Sequence, residues 1–113
     1  MSRGKAAAQC CHATLSCYNH ALKATPAIVK RWESQGQRKI TLKVESEDEL
    51  FVNFYSFPLR IALSTLATSK HLLNCIIHDA GRTQVPQGTA TVLGIGPAST
   101  KDIDEVSGHL KLY

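Results

Sequence analysis

Small side chains recur along residues 4–23 at the spacing of one helix face. They are separated by four, three, four and four positions and comprise Ala6, Cys10, Ala13, Cys17 and Ala21. This periodicity predicts an α-helix whose narrow apolar stripe can pack closely on a sheet. A polar stripe follows the same rhythm and comprises Lys5, Gln9, His12, Ser16, Asn19 and Lys23.

Two interpretations of the polar stripe remain open. Lys5, Gln9 and His12 project from one side of the first turns, where the helix N-terminus adds a partial positive charge. The stripe is then either an anion-binding edge that faces Asp79 or the solvated face of an ordinary amphipathic helix. The residues alone favour the solvated face.

Residues 25–35 predict a second helix. Thr25 is suited to cap it, Pro26 suits its first position and Gly36 ends it. The alternation in residues 38–44 then predicts a strand with one buried face, formed by Ile40, Leu42 and Val44.

Two short β-branched runs, residues 75–77 and 91–93, predict buried strands. Between them lies a polar loop, residues 79–88, that opens with Asp79. Polar groups at the end of a buried strand are typical of sites on α/β sheets, whereas the simpler alternative is a turn made by Asp79. The residues alone slightly favour the turn. After the second strand, a short helix is predicted, with its cap at Ser99 or Thr100.

Composition indicates one small folded domain. The chain has 113 residues, of which 43% are hydrophobic. No apolar run approaches the roughly 20 residues that span a bilayer, and the first residues lack a signal-peptide pattern.

The spacing of the four cysteines is no disulfide framework, which indicates reduced thiols in a cytosol-like compartment. A zinc site matches no common ligand spacing and is less favoured; its candidate ligands are Cys11, His12, Cys17 and His20.

Charge is unevenly distributed along the chain. Residues 1–45 hold eight Lys and Arg against two Glu, whereas residues 46–113 hold five against seven acidic residues. A basic half suits a polyanionic partner such as RNA. Taken alone, such a surplus is more often a solvated surface.

Four segments carry a resemblance to a known family. Residues 78–84, 88–97 and 107–113 resemble the archaeal and eukaryotic (type 2) peptidyl-tRNA hydrolases, and residues 4–13 look like the first helix of that family. The resemblance implies a single α/β domain over residues 1–113. It would be a three-layer sandwich, in which a small mixed β-sheet of four strands is flanked by helices on both faces.

The chain departs from the family pattern in two places. In the family a buried strand precedes the first helix, so we expect this strand to be missing and the domain to be truncated at its N-terminus. Residues 46–49 carry a capping-box signature for a third helix. Residues 51–60 look like an insertion, after which residues 61–71 resume the family's helix.

The resemblance implies hydrolysis of the ester that joins a nascent peptide to tRNA, without a metal or organic cofactor. The positions that match the family's proposed catalytic residues are Lys5, Asp79, Thr83 and Thr91. Candidates for binding the rest of the substrate are Gln9, His12, Arg82 and Gln84. Candidates for contact with RNA phosphates are Lys23, Lys30, Arg31, Arg38, Lys39 and Lys43.

The resemblance also suggests a homodimer and mitochondrial association as in some relatives, whereas the cysteine spacing indicates a cytoplasmic location. A different class of function remains open beside hydrolysis. The chain would then be a catalytically impaired relative that acts as a protein-interaction or cell-death-linked adaptor.

Overall fold

Helices and short strands alternate along the part of the chain that the structure describes. The computed structural model describes residues 2–44, 59–78 and 90–113. The helices in these residues are α1 (Arg3–Ala24), α2 (Pro26–Ser34), α3 (Leu59–Ser69) and α4 (Thr100–Ser107). The strands are β1 (Leu42–Lys43), β2 (Asn74–His78), β3 (Ala90–Ile95) and β4 (Lys111–Leu112). Together they form an α/β domain with two small antiparallel sheets, so the predicted α/β class is confirmed.

The predicted first helix is α1, with a buried face that differs from the sequence pattern at one position. The Ser2 hydroxyl caps it by accepting a hydrogen bond from the Lys5 backbone N–H at 3.2 Å. The buried residues are Ala6, Gln9, Ala13, Cys17 and Ala21. Gln9 thus takes the place predicted for Cys10, which is only half-buried. The reason is a tertiary hydrogen bond of the Gln9 amide, described below.

The small side chains of α1 allow it to approach β3 closely. A methyl group added at Gly94 of β3 would lie 2.7 Å from Cys17 Sγ and 3.4 Å from Ala13 Cβ. Such a methyl group could be accommodated only if the Cys17 side chain or α1 itself moved. The glycine and the narrow stripe therefore together set the distance between helix and sheet.

The two predicted central strands pair with each other as an antiparallel unit. Cys75 lies opposite Gly94 and Ile76 opposite Leu93, with an irregularity after Ile77. Alternate residues of β3 point to opposite sides, as in any strand. Leu93 and Ile95 accordingly pack against the main apolar cluster, which is formed by Leu63, Ala67, Leu72 and Val106.

The strand predicted over residues 38–44 is much shorter than expected. Among the described residues, Leu42–Lys43 alone pairs as a strand, with Lys111–Leu112, and the Thr41 carbonyl accepts a further bond from the Tyr113 N–H. The prediction that Ile40 is buried is wrong, because 62% of this residue is exposed. Alternating apolar and polar residues indicate which face of a strand could be buried. The strand itself extends only as far as a neighbouring backbone forms hydrogen bonds with it.

The predicted helix ends are confirmed at Pro26, Gly36 and Ser99. Pro26 opens α2, and Gly36 follows its end with a positive φ of 95°. Thr25 precedes α2 but makes no capping side-chain hydrogen bond. Ser99, rather than Thr100, caps α4, because its hydroxyl accepts a bond from the Asp102 N–H at 3.3 Å.

Trp32 anchors α2 against α1. Its ring centroid lies 6.2 Å from that of Tyr18, and its indole N–H donates to the Arg38 carbonyl at 2.9 Å.

The helix predicted at residues 46–49 and most of the predicted insertion, residues 51–58, lie outside the described residues. No helix in the described ranges is long and apolar enough to cross a membrane. The four-strand mixed sheet in a three-layer sandwich stays a prediction.

Candidate active site

A buried chain of hydrogen bonds joins α1 to the ends of β2 and β3. Gln9 Nε2 donates to Thr91 Oγ1 at 2.6 Å, and Thr91 Oγ1 donates to the Ile77 carbonyl at 3.1 Å. Gln9 is 7% exposed and Thr91 is 3% exposed. Polar groups this deeply buried are costly without partners, so the three residues hold one another in place. Within the described ranges, every buried side-chain nitrogen and oxygen atom has a hydrogen-bond partner.

Lys5 lies on the same side of α1, one turn before Gln9. Side chains four positions apart in a helix are neighbours on its surface. Lys5 is half-buried and lies in the first turn of α1, next to the positive end of the helix dipole. The helix thus places a cation one turn before the residue that makes the Gln9–Thr91 hydrogen bond.

Asp79 follows β2 directly, two positions after Ile77, whose carbonyl binds Thr91. The predicted catalytic residues Asp79 and Thr83 fall within residues 79–89, outside the described part of the chain. The same holds for the predicted substrate-binding residues Arg82 and Gln84. The structure therefore brings together Gln9 and Thr91, with Lys5 on the neighbouring turn, and does not describe these four.

His12 is exposed on α1, unlike Gln9 one turn before it. Of the three residues expected to project together, Gln9 is buried, Lys5 is half-buried and His12 is exposed. The stripe described as polar therefore divides, with Gln9 inside and His12 at the surface. The predicted role of His12 in substrate binding stays a prediction.

All six residues predicted to contact RNA phosphates are exposed. Lys23 is in the last turn of α1, Lys30 and Arg31 are in α2, and Lys43 is in β1. Arg38 and Lys39 follow α2. The Arg38 guanidinium donates to Thr100 Oγ1 at 3.3 Å, and Lys39 Nζ lies 5.2 Å from the centre of the Trp32 ring.

Sequence reasoning missed the Ile77 carbonyl, which fixes the Thr91 hydroxyl. No side-chain pattern marks a backbone acceptor, so this contact had no signal in the sequence.

The residues considered for zinc are not assembled: Cys17 is buried, whereas Cys11 and His12 are exposed. No group of three or more His, Cys, Asp or Glu within the described ranges could hold a metal ion.

The comparison with known proteins covers the whole chain. A family model described as peptidyl-tRNA hydrolase PTH2 matches residues 1–113. The chain belongs to this family. The resemblance that the sequence suggested is therefore confirmed.

Individual relatives of the family come from eukaryotes and an archaeon. The chain is 47% identical to probable peptidyl-tRNA hydrolase 2 of Schizosaccharomyces pombe, with all of this chain and 50% of the relative covered. It is 46% identical to the Mus musculus protein named peptidyl-tRNA hydrolase 2, mitochondrial, of which 57% is covered. For the peptidyl-tRNA hydrolase of Methanococcus vannielii the identity is 41%, over 99% of this chain and 88% of the relative. The chain spans about half the length of the eukaryotic relatives that it matches.

Proposed function

We propose that this chain hydrolyses the ester bond of peptidyl-tRNA and releases free peptide and tRNA. The observation that carries the proposal is the Gln9–Thr91–Ile77 hydrogen-bond chain, which joins the Lys5 end of α1 to the strand that leads into Asp79. The family match over residues 1–113 and the names of the relatives supply the reaction. No observation favours the adaptor alternative.

Ester hydrolysis requires an activated water and a counter-charge for the tetrahedral oxyanion. Asp79 is the proposed general base or orienting carboxylate, since it directly follows β2, in which the Ile77 carbonyl fixes Thr91. Lys5 is the proposed counter-charge. Thr83 is proposed to position the attacking water, or to act as the nucleophile itself.

Thr91 acts as a positioning residue in this proposal. Its single hydroxyl hydrogen goes to the Ile77 carbonyl, and its oxygen accepts the Gln9 amide. A nucleophilic hydroxyl needs a base to take its proton, and a backbone carbonyl is no base. The role of Thr91 is therefore to orient Gln9, whose amide has a second hydrogen and an oxygen for binding substrate.

The test is release of peptide from peptidyl-tRNA by the purified chain, in the presence of a metal chelator. We expect Lys5→Ala and Asp79→Asn each to lower kcat by at least about 100-fold, as is typical when an acid–base or oxyanion group is lost. Lys101→Ala, an exposed change in α4, is the matched control and should retain full activity. Near-normal turnover by the Lys5 or Asp79 variant, with an unchanged circular dichroism spectrum, would disprove that assignment.

The proposal has four further features. The three-layer arrangement with a mixed sheet and the homodimer rest on the family resemblance. The cytoplasmic location rests on the cysteine spacing, and the phosphate contacts rest on the charge and exposure of the six basic residues. Relatives from Mus musculus and Homo sapiens are named mitochondrial, which supports the suggested mitochondrial association. Sedimentation and fractionation of the expressed protein test the dimer and the location.

A further inference from the structure

Two thiols and an imidazole meet between α1 and β2, away from the Gln9–Thr91 contact. His20 Nδ1 lies 3.1 Å from Cys75 Sγ. The Cys17 sulfur lies on the same part of the sheet, because it is 2.7 Å from the place of a Cβ on Gly94 and Gly94 pairs with Cys75. Cys17 and His20 are three positions apart on α1, so both reach the same residue of β2.

The close packing of α1 on the sheet brings the two sulfur atoms within reach of each other. Cys17 Sγ lies over Gly94, and Gly94 is the direct cross-strand partner of Cys75. A side chain at position 94 would hold the helix away from the strands. A disulfide requires Cα atoms about 4.4–6.8 Å apart, and the close approach of α1 at Gly94 favours such a distance.

We propose that Cys17 and Cys75 are a peroxide-sensitive pair that forms an intramolecular disulfide, with His20 taking the proton of the Cys75 thiol. The Cys75 thiolate attacks one oxygen of hydrogen peroxide, so that an S–O bond forms and the O–O bond breaks. The departing hydroxide takes the proton from His20 and becomes water. The Cys17 sulfur then attacks Cys75 and displaces a second hydroxide, which leaves as water with the Cys17 proton. The two thiols lose two electrons in total, and the peroxide is reduced to two water molecules.

The surroundings of the two cysteines decide their order of reaction. Cys75 is half-buried and contacts a possible base, as is typical of a reactive cysteine. Cys17 is buried, and burial, followed by the contact with Cys75, raises the pKa of its thiol to about 12. Cys17 therefore stays protonated and reacts second, with the sulfenic acid already formed on Cys75.

The disulfide would link α1 covalently to β2. These are the same two elements that the Gln9–Thr91–Ile77 hydrogen bonds join, so oxidation reinforces an arrangement that already exists. We expect the oxidised protein to melt at a higher temperature than the reduced one, because the link restricts the unfolded chain. The proposal is independent of the hydrolytic function and survives if that function fails.

The experiment uses the full chain with Cys10→Ser and Cys11→Ser, which leaves Cys17 and Cys75 as the only thiols. After treatment with hydrogen peroxide, we expect the intact mass to fall by that of two hydrogen atoms. Trypsin should then release residues 6–23 and 71–82 as one linked species that separates on reduction. A mass gain of oxygen without this link, or a link only between two chains, would overturn the proposal.

His20→Gln tests the role of the imidazole, since His20 is exposed and its replacement spares the core. We expect the disulfide to form at least about 10-fold more slowly in this variant, within the range of general-base effects. His109→Gln, at an exposed position after α4 and outside the cluster, is the matched control and should oxidise at the parent rate. Equal rates in the His20 variant and the control would refute the base role.

Discussion

At the scale of single residues, Gln9 shows how one polar group can tie a helix to a sheet. Its amide is nearly fully buried, although its position in the sequence fits a solvated stripe. The Thr91 hydroxyl compensates for its burial, and the Ile77 carbonyl fixes that hydroxyl in turn. Replacing only Gln9 or only Thr91 should therefore lower the free energy of unfolding by more than replacing both with apolar side chains of the same shape.

The first prediction concerns this pair. Thr91→Val keeps the shape of the side chain but leaves the Gln9 amide unpaired, so it should lower the free energy of unfolding by about 1–3 kcal/mol. The double variant with Gln9→Met and Thr91→Val should lose less free energy of unfolding than the two single variants added together. Urea unfolding of the two single variants and the double variant measures these losses. Strict additivity would mean that the two side chains do not interact.

The second prediction concerns the close approach at Gly94. Gly94→Ala would place a methyl group 2.7 Å from Cys17 Sγ, so it should destabilise the fold by about 1–3 kcal/mol, as overpacking does. Adding Cys17→Ala should recover part of this loss by removing the sulfur. Gly4→Ala is the matched control, because a methyl group there meets nothing within 4 Å. A Gly94→Ala protein as stable as the parent would show that α1 can move away from β3.

At the scale of elements, helix boundaries depend on single hydrogen bonds at their first residues. Ser2 and Ser99 each accept a backbone N–H three positions later, at the starts of α1 and α4. Thr25 occupies the corresponding position before α2 without making this bond. Pro26 defines the start of α2 instead, because its fixed φ suits a first helical turn.

This contrast gives the third prediction. Ser99→Ala should lower the free energy of unfolding by about 1 kcal/mol, the usual cost of losing a capping side chain. Thr25→Ala should cost less, since no capping bond is lost. Thermal unfolding of the two variants decides the matter, and an equal loss of stability would contradict the assignment of Ser99 as the cap.

At the scale of the whole molecule, charge divides between the halves of the chain. The first 45 residues carry the basic excess, and their predicted phosphate-binding side chains are exposed on α1, α2, β1 and the segment after α2. Each phosphate that a protein neutralises releases counterions, so binding to tRNA should depend strongly on salt.

The fourth prediction follows from that division. The affinity for tRNA should fall steeply as salt rises, and removing Lys30 and Arg31 together should lower the slope of log K against log salt by about 2, or about 1 per lost contact. Lys101→Ala in α4 should leave the slope unchanged. Filter binding at several salt concentrations gives the slopes. An affinity that does not change with salt would exclude the phosphate contacts.

The sequence by itself determined the features that depend on neighbours along the chain. Helix starts at Pro26 and Ser99, the small-residue stripe of α1 and the two central strands were all predictable. Each of them follows from periodicity or from a hydrogen bond across a few residues. The family resemblance likewise rested on local segments of sequence.

Tertiary structure alone decided which side chains met across the fold. Gln9 is buried because Thr91, 82 positions away, accepts its amide hydrogen. Ile40 is exposed, and no strand among the described residues pairs with that part of the chain. Cys75 meets His20 because Gly94 lets α1 approach. These outcomes depend on distances between elements, which hydrogen-bond partners and packing set and which a local pattern does not contain.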